Sequence, residues 1–193
     1  DLIYAGLLSD EILGLFDSAA DKRSSYIGAA YVYDENWNPT LIGYRPSSRS
    51  ASDRTSLRIA EMYLIAAEAG SYLTGELDNA KGYLLDLQKM RFSPEGYTAK
   101  ETAIEAMTAE QFRTEVANER ARELLIEGHR WFDLRRTTQP SITHTSDGQT
   151  YTLYQGDSRY TLPFPQSAVN NNPELSNSAT AFSNWSAVSV SKE

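Results

Sequence analysis

Val116-Ala-Asn-Glu-Arg-Ala-Arg-Glu-Leu-Leu-Ile-Glu-Gly-His-Arg-Trp-Phe-Asp-Leu-Arg-Arg136 is the stretch whose reading decides the fold of this chain. It carries too many charges for a core helix and too many large apolar groups for a solvated one. At ~100° per residue, Phe112, Val116, Glu119, Arg120, Glu123, Leu124 and Glu127 fall on one broad face, so ionisable groups sit inside the apolar stripe. Burying unpaired charges is expensive. The pattern therefore predicts carboxylates and guanidiniums that pair with each other or with a neighbouring element. Thr108, with Gln111 three residues on, is a capping-box signature for the start of this helix. Gly128 interrupts it, and His129 to Arg136 continues as a short turn or helix.

Upstream, a strong helix is expected from about Leu57 to Leu73. Ile59, Met62, Tyr63, Ala66 and Leu73 lie on one side, and Leu64 and Ala67 widen the apolar surface. Only Arg58, Glu61, Glu68 and Tyr72 form a polar edge, so burial nearly all round is expected. Gly75 ends it, and a second helix follows with Leu77, Ala80, Leu84 and Leu87 at helical spacing, a tetratricopeptide-like hairpin. Phe92 to Lys100, containing Pro94 and Gly96, reads as a loop, and a short helical segment follows from about Glu101 to Met107.

The flanks are less regular. Ser9 to Phe16 opens like a short helix with Ser9 as its cap. Tyr26 to Tyr33 and Thr40 to Tyr44 are β-prone runs around the turn-forming Asp34-Glu-Asn-Trp-Asn-Pro39, a hairpin with a longish tip. Arg45 to Ser56 reads as an exposed loop. Thr150 to Tyr154 and Ser158 to Leu162 are short strand candidates around Gly156, and Pro163-Phe-Pro165 is extended. Residues 179–193 form a polar Ser- and Asn-rich tail with Trp185 as its only large anchor. One domain, residues 1–178 with a helical core at about 57–136, is expected ahead of that tail.

Composition narrows the function classes. The chain has 193 residues, enough for one substantial core, and a formal charge of -8, which disfavours nucleic acid or an anionic bilayer as the main partner. It has no cysteine, so disulfides and thiolate metal sites are excluded. No apolar run approaches the ~18 residues of a membrane span. The chain starts at Asp1 without a methionine or signal peptide, which reads as an excised or processed piece.

Three segments together resemble the SusD/RagB family of Bacteroidetes outer-membrane lipoproteins, which capture nutrients for a TonB-dependent transporter. Leu57-Arg-Ile-Ala-Glu-Met-Tyr-Leu-Ile-Ala-Ala-Glu-Ala69 is similar to its Leu-Arg-x-Ala-Glu-x-Tyr-Leu helix, and Glu119 to Arg135 to its Glu-Arg-x-x-Glu-Leu-x-x-Glu-Gly segment. Tyr160-Thr-Leu-Pro-Phe-Pro-Gln166, with Asn172-Pro173, is similar to its closing element, and Asp21-Lys-Arg23 is a weaker upstream match. The resemblance implies a mainly α fold: a SusD-like C-terminal portion with a helical hairpin, a long helix, long loops and short β-hairpins. It also implies a surface-exposed protein at the outer membrane, held by an upstream lipid anchor, that passes an oligosaccharide or other nutrient to a SusC-like transporter. No enzyme activity and no cofactor are implied.

The remaining candidates are weighed on their own chemistry. Glu119, Glu123 and Glu127 recur every four residues, a spacing that also suits paired catalytic or metal-binding carboxylates. Interleaved arginines favour ionised, paired carboxylates instead. The expected arrangement is a structural clamp of Arg58, Glu61, Glu68, Glu119, Arg120, Glu123, Glu127, Arg130 and Asp133. In it Glu61 and Glu68 meet Arg120 or Arg130, and Arg58 meets a glutamate of the long helix. Asp34 to Asn38 alternates oxygen side chains as a calcium loop does, but Pro39 and Arg45 stand where such a loop needs Gly and Glu. Trp37 in that tip, extended by Tyr33 and Tyr31, offers a face for stacking on a sugar or anchoring an interface. His129 and His144 are isolated, no Gly-x-Ser-x-Gly elbow is present, and Arg45, Arg49 and Arg54 are dispersed among serines. No metal site is expected. Two alternatives to nutrient capture are a helical-hairpin module for a protein partner and a glycan hydrolase using the long-helix glutamates.

Overall fold

The computed structural model describes residues 7–47, 58–146, 149–172 and 175, and the chain divides into two compact units between Arg130 and Trp131. The fold is mainly α with small antiparallel strand pairs. In the first unit the Ser9 hydroxyl caps a single turn, α1 (Asp10–Leu13). Asp21 caps a 3-10 turn over Lys22–Tyr26, which leads into β1 (Ile27–Tyr33), paired antiparallel with β2 (Pro39–Pro46). α2 (Ile59–Gly70) and α3 (Leu77–Arg91) make a helical hairpin, followed by α4 (Pro94–Glu105) and α5 (Ala109–Glu123).

The helical periodicity places the core. Leu64 and Ala67 of α2, Ala80, Leu84 and Leu87 of α3, Ile104 of α4, and Phe112 and Val116 of α5 are buried together. Each large side chain among them contributes ~1.5–3 kcal/mol by leaving water. At the start of α5 both capping-box bonds form. The Gln111 amide donates to the Thr108 hydroxyl at 3.3 Å, and the Thr108 amide donates to the Gln111 side-chain oxygen at 2.9 Å.

Three expectations for this unit change. α2 is not buried all round: Ile59 is 78% exposed, and Met62 and Ile65 are also open. A single helical hairpin covers one face of each helix and leaves the other to a neighbour, and no neighbour among the described residues covers this one. The segment read as a loop over Phe92 to Lys100 is mostly helix. Ser93 is its N-cap, accepting from the Gly96 amide at 3.2 Å, and Pro94 takes the first-turn position where its missing N–H costs nothing. Gly96 is there for space, since a Cβ on it would lie 2.5 Å from the Ala20 Cβ. Finally, α5 ends at Glu123, before Gly128; Ile126 (φ 54°) and Gly128 (φ 85°) both turn left-handed ahead of α6 (His129–Arg136).

In the second unit β3 (Ile142–Ser146) pairs with β4 (Gln149–Leu153), and α7 (Gln166–Asn171) follows Pro165. Ser158 to Leu162 is not a strand. Asp157 accepts from the Arg159 amide and binds its guanidinium at 2.7 Å, which winds Ser158–Tyr160 into a 3-10 turn. Tyr160 is buried, stacks on Trp131 at 5.2 Å and donates its hydroxyl to the Pro140 carbonyl. No helix among the described residues is long and apolar enough to cross a membrane. Leu57, Arg49, Arg54, Pro173 and the 179–193 tail lie outside the described residues.

Candidate functional site

Two groups of residues stand out in the first unit: a buried ion network and an exposed aromatic face. The network is built on Glu119 and Glu123, one turn apart on α5 and both buried. Glu119 accepts from Arg23 Nη1 at 2.6 Å, from Arg122 Nη2 at 2.6 Å and from Gln88 Nε2 at 2.9 Å. Glu123 accepts from Arg23 Nη1 at 2.9 Å, from Arg58 Nη2 at 2.6 Å and from Arg91 through Nε and Nη2, each at 2.8 Å. Arg58 also donates to the Glu123 carbonyl at 3.1 Å and to the Glu127 carboxylate. Asp21 grips Arg23 from the other side, at 2.9 Å and 2.8 Å. Three segments distant in sequence, around Arg23, Arg58 and Arg91, thus close on one turn of α5.

Burial pushes the Glu119 carboxyl upward, but the fields of Arg122 and Arg23 and their hydrogen bonds outweigh it and bring its pKa to about 2. Glu123 behaves alike: burial raises it, while bonds to Arg91 and the fields of Arg91, Arg23 and Arg58 hold it below the usual carboxylate range. Burial would lower the Arg23 pKa, yet its bonds to Asp21 and the field of Glu119 keep it above its ordinary value. Both carboxyls are therefore ionised at neutral pH and have no proton to donate.

The other residues expected in the clamp fall at different places. Glu61 of α2 faces Arg120 at 3.9 Å and His129 Nδ1 at 3.7 Å. Glu68 is half-buried further along the same helix. Arg130 pairs with the exposed Glu11 of α1 at 3.7 Å. Asp133 belongs to the second unit and binds Arg136, three residues along its own helix, at 2.8 Å. Arg23, Arg91, Arg122 and Gln88 are network members that the helical projection missed. Arg91 closes α3 in the last-turn position favoured for a cation, a usable signal. Arg122 lies outside the projected stripe, but its i,i+3 spacing from Glu119 is a usable signal too. A cleft of about 780 Å³ opens beside the network, rimmed by Phe16, Tyr26, Met90 and Ile126, and the guanidiniums on its wall are already engaged, Arg23, Arg58 and Arg91 by Glu123 and Arg122 by Glu119.

The aromatic face lies on the β1–β2 hairpin. Asp34 builds the tip: its carboxylate accepts from the Asn36 and Asn38 amides and the Asn38 side chain, each at 2.8 Å. The Asn38 side chain, then its amide, holds this carboxyl below its usual range. The Trp37 amide donates to the Asp34 carbonyl at 3.0 Å, closing a turn whose last position favours glycine. Trp stands there instead, at φ 62° and 80% exposed. Its ring lies 6.0 Å from that of Tyr33, inclined by 53°, and Tyr33 and Tyr31 are themselves about half exposed. Because the turn consumes Asp34, the alternating oxygens here make a hairpin tip. Among the described residues no group of three or more His, Cys, Asp or Glu is placed to hold a metal ion.

Residues 40–181 match the family model of the SusD family. The chain is similar in fold to the crystal structure of a SusD-like carbohydrate binding protein from Bacteroides vulgatus ATCC 8482, with a TM-score of 0.53 and 22% identity. The likeness covers 77% of this chain and 33% of that one, so this chain spans about a third of that relative's length. No curated protein matches it. Glu119, Glu123, Arg58 and Arg91 lie inside the matched segment, whereas Tyr31, Tyr33 and Trp37 precede it.

Proposed function

This chain belongs to the SusD family, and on that premise we propose that it captures carbohydrate without chemistry, using Trp37, Tyr33 and Tyr31 as its stacking surface. The supporting observation is Trp37 itself. The hairpin tip holds a large aromatic ring out in water at a backbone position that costs a non-glycine residue ~1–2 kcal/mol. Such local strain is a signature of function when the surrounding turn fixes it in place, as Asp34 does here. The ion network takes the structural role. Its carboxylates are ionised and fully engaged, which suits a scaffold and not a general acid.

In this reading the protein works at the outer-membrane surface, attached through an upstream lipid anchor, and hands an oligosaccharide to a SusC-like TonB-dependent transporter. Affinity electrophoresis through gels containing neutral and acidic polysaccharides tests it. Retardation by at least one polysaccharide, relieved in Trp37→Ala, is expected. Equal mobility in every gel, or retardation indifferent to Trp37, overturns the assignment.

A second reading, a protein-interaction module, draws on the open apolar stripe of Ile59, Met62 and Ile65 on α2. It predicts that Met62→Lys abolishes capture of a protein partner while leaving any polysaccharide retardation intact.

A further inference from the structure

The strand register says more about the ligand than exposure alone. Tyr31 stands opposite Leu41, Tyr33 opposite Pro39, and Ala29 opposite Tyr44, and directly opposed residues share a face. A bulge lies between these pairs: Ala30 pairs with Gly43 and Tyr31 with Leu41, so Ile42 is the extra residue. That extra residue brings Leu41 and Tyr44, an odd number apart, onto one face. The result is a line of exposed groups running down the ribbon from Trp37 through Tyr33 and Tyr31 to Tyr44.

The spacing along this line is regular. Trp37 and Tyr33 are 6.0 Å apart, and Tyr33 to Tyr31 is one two-residue step of ~6.5–7 Å along a strand. The rings are not coplanar: the 53° inclination between Tyr33 and Trp37 means that one flat sugar cannot lie on both. Each ring therefore takes its own unit of a chain. The face is also uncharged. Ala29, Tyr31, Tyr33, Pro39, Leu41 and Tyr44 carry no charge at neutral pH, and the tip beside them adds only acidic side chains, Asp34 and the exposed Glu35, which disfavour an acidic sugar. The tyrosine hydroxyls, as donors or acceptors, and the Trp37 indole N–H, as a donor, offer polar contacts to neutral hydroxyls.

We propose that the hairpin binds an uncharged, extended oligosaccharide of at least three units, one unit on each of Trp37, Tyr33 and Tyr31. This rests on the carbohydrate reading above and goes beyond it by fixing the minimum length and the charge of the ligand.

The test is calorimetric titration with xylo-, cello- and malto-oligosaccharides of one to six units and with oligogalacturonates of the same lengths. In at least one neutral series affinity should rise about fivefold per unit to the third and then level off. Tyr31→Ala should remove the third-unit gain while leaving disaccharide affinity within about twofold. Several results overturn the proposal: a monosaccharide binding as tightly as a hexasaccharide, a Tyr31→Ala loss equal at every length, a preference for oligogalacturonates, or polysaccharide binding with no oligosaccharide binding in any neutral series. Those failures leave carbohydrate capture standing if gel retardation persists. Absence of both retardation and titration heat removes the two together.

Discussion

Glu119→Gln is the sharpest perturbation of the ion network. The change keeps volume and shape but removes the charge that Arg23 and Arg122 share, and those side chains are only 13% and 3% exposed. Breaking a buried pair from one side costs ~3–5 kcal/mol. Here Arg122 keeps Glu115 at 2.7 Å, and Arg23 keeps Asp21 and Glu123, so the lower end applies. Proton linkage gives an independent figure. A carboxyl moved from 4.5 to about 2 contributes roughly 3 kcal/mol at neutral pH. For a chain of this size that is a fall of ~6–12 °C in Tm. Urea denaturation followed by helical circular dichroism at pH 7, 5, 3 and 2 measures it. Because the folded pKa is depressed, the stabilisation is complete above about 4.5 and is lost as pH falls towards about 2. The wild type should therefore exceed Glu119→Gln by the full amount at pH 7 and 5, and the gap should narrow through pH 3. A carboxyl kept protonated for acid catalysis has the opposite sign, and the gap would grow on acidification. A loss below 1 kcal/mol at pH 7, or growth of the gap with acid, refutes the clamp.

Three further outcomes follow from specific contacts. Trp37→Gly should leave Tm unchanged or raise it, by up to ~1–2 kcal/mol of relieved left-handed strain, while carbohydrate binding disappears; a lower Tm shows that the ring supports the fold. Gly96→Ala should cost ~1–3 kcal/mol, because its Cβ would meet Ala20 at 2.5 Å where α4 passes the upstream segment; a neutral result in thermal denaturation contradicts that close approach. Arg130→Ala, which removes a loose surface pair with the exposed Glu11 at 3.7 Å, should change stability by less than ~1 kcal/mol, so a loss matching Glu119→Gln makes burial irrelevant to the network.

How legible this chain was depends on how local each signal is. The α5 capping box, the hairpin turn and the α3 periodicity are written within a few residues, and the structure places them as read. α4 is also written locally, but Pro94 and Gly96 look like breakers out of context, whereas Ser93-Pro94 is a helix start and Gly96 answers a contact with Ala20, 76 residues upstream (96 − 20). The same limit applies to the network. The projection of α5 singles out Glu119 and Glu123, but their partners Arg23 and Arg91 come from other segments, and only packing brings them together. α2 fails in the other direction: its composition calls for burial on all sides, and burial needs a neighbour that the helix's own residues do not specify. At the hairpin, exposure of Trp37 follows from its turn position, whereas the shared face of Tyr31, Leu41 and Tyr44 depends on a bulge that alternation alone does not disclose.

The most direct measurement is one titration of a bound neutral polysaccharide into wild-type protein and Trp37→Ala, with released reducing ends assayed on the same samples. Saturable binding by the wild type, no reducing ends, and an affinity at least about tenfold lower in Trp37→Ala at unchanged Tm are the expected results. Reducing ends that accumulate with the wild type and vanish in Glu123→Gln, or equal affinity in the two proteins, would contradict capture by the hairpin face.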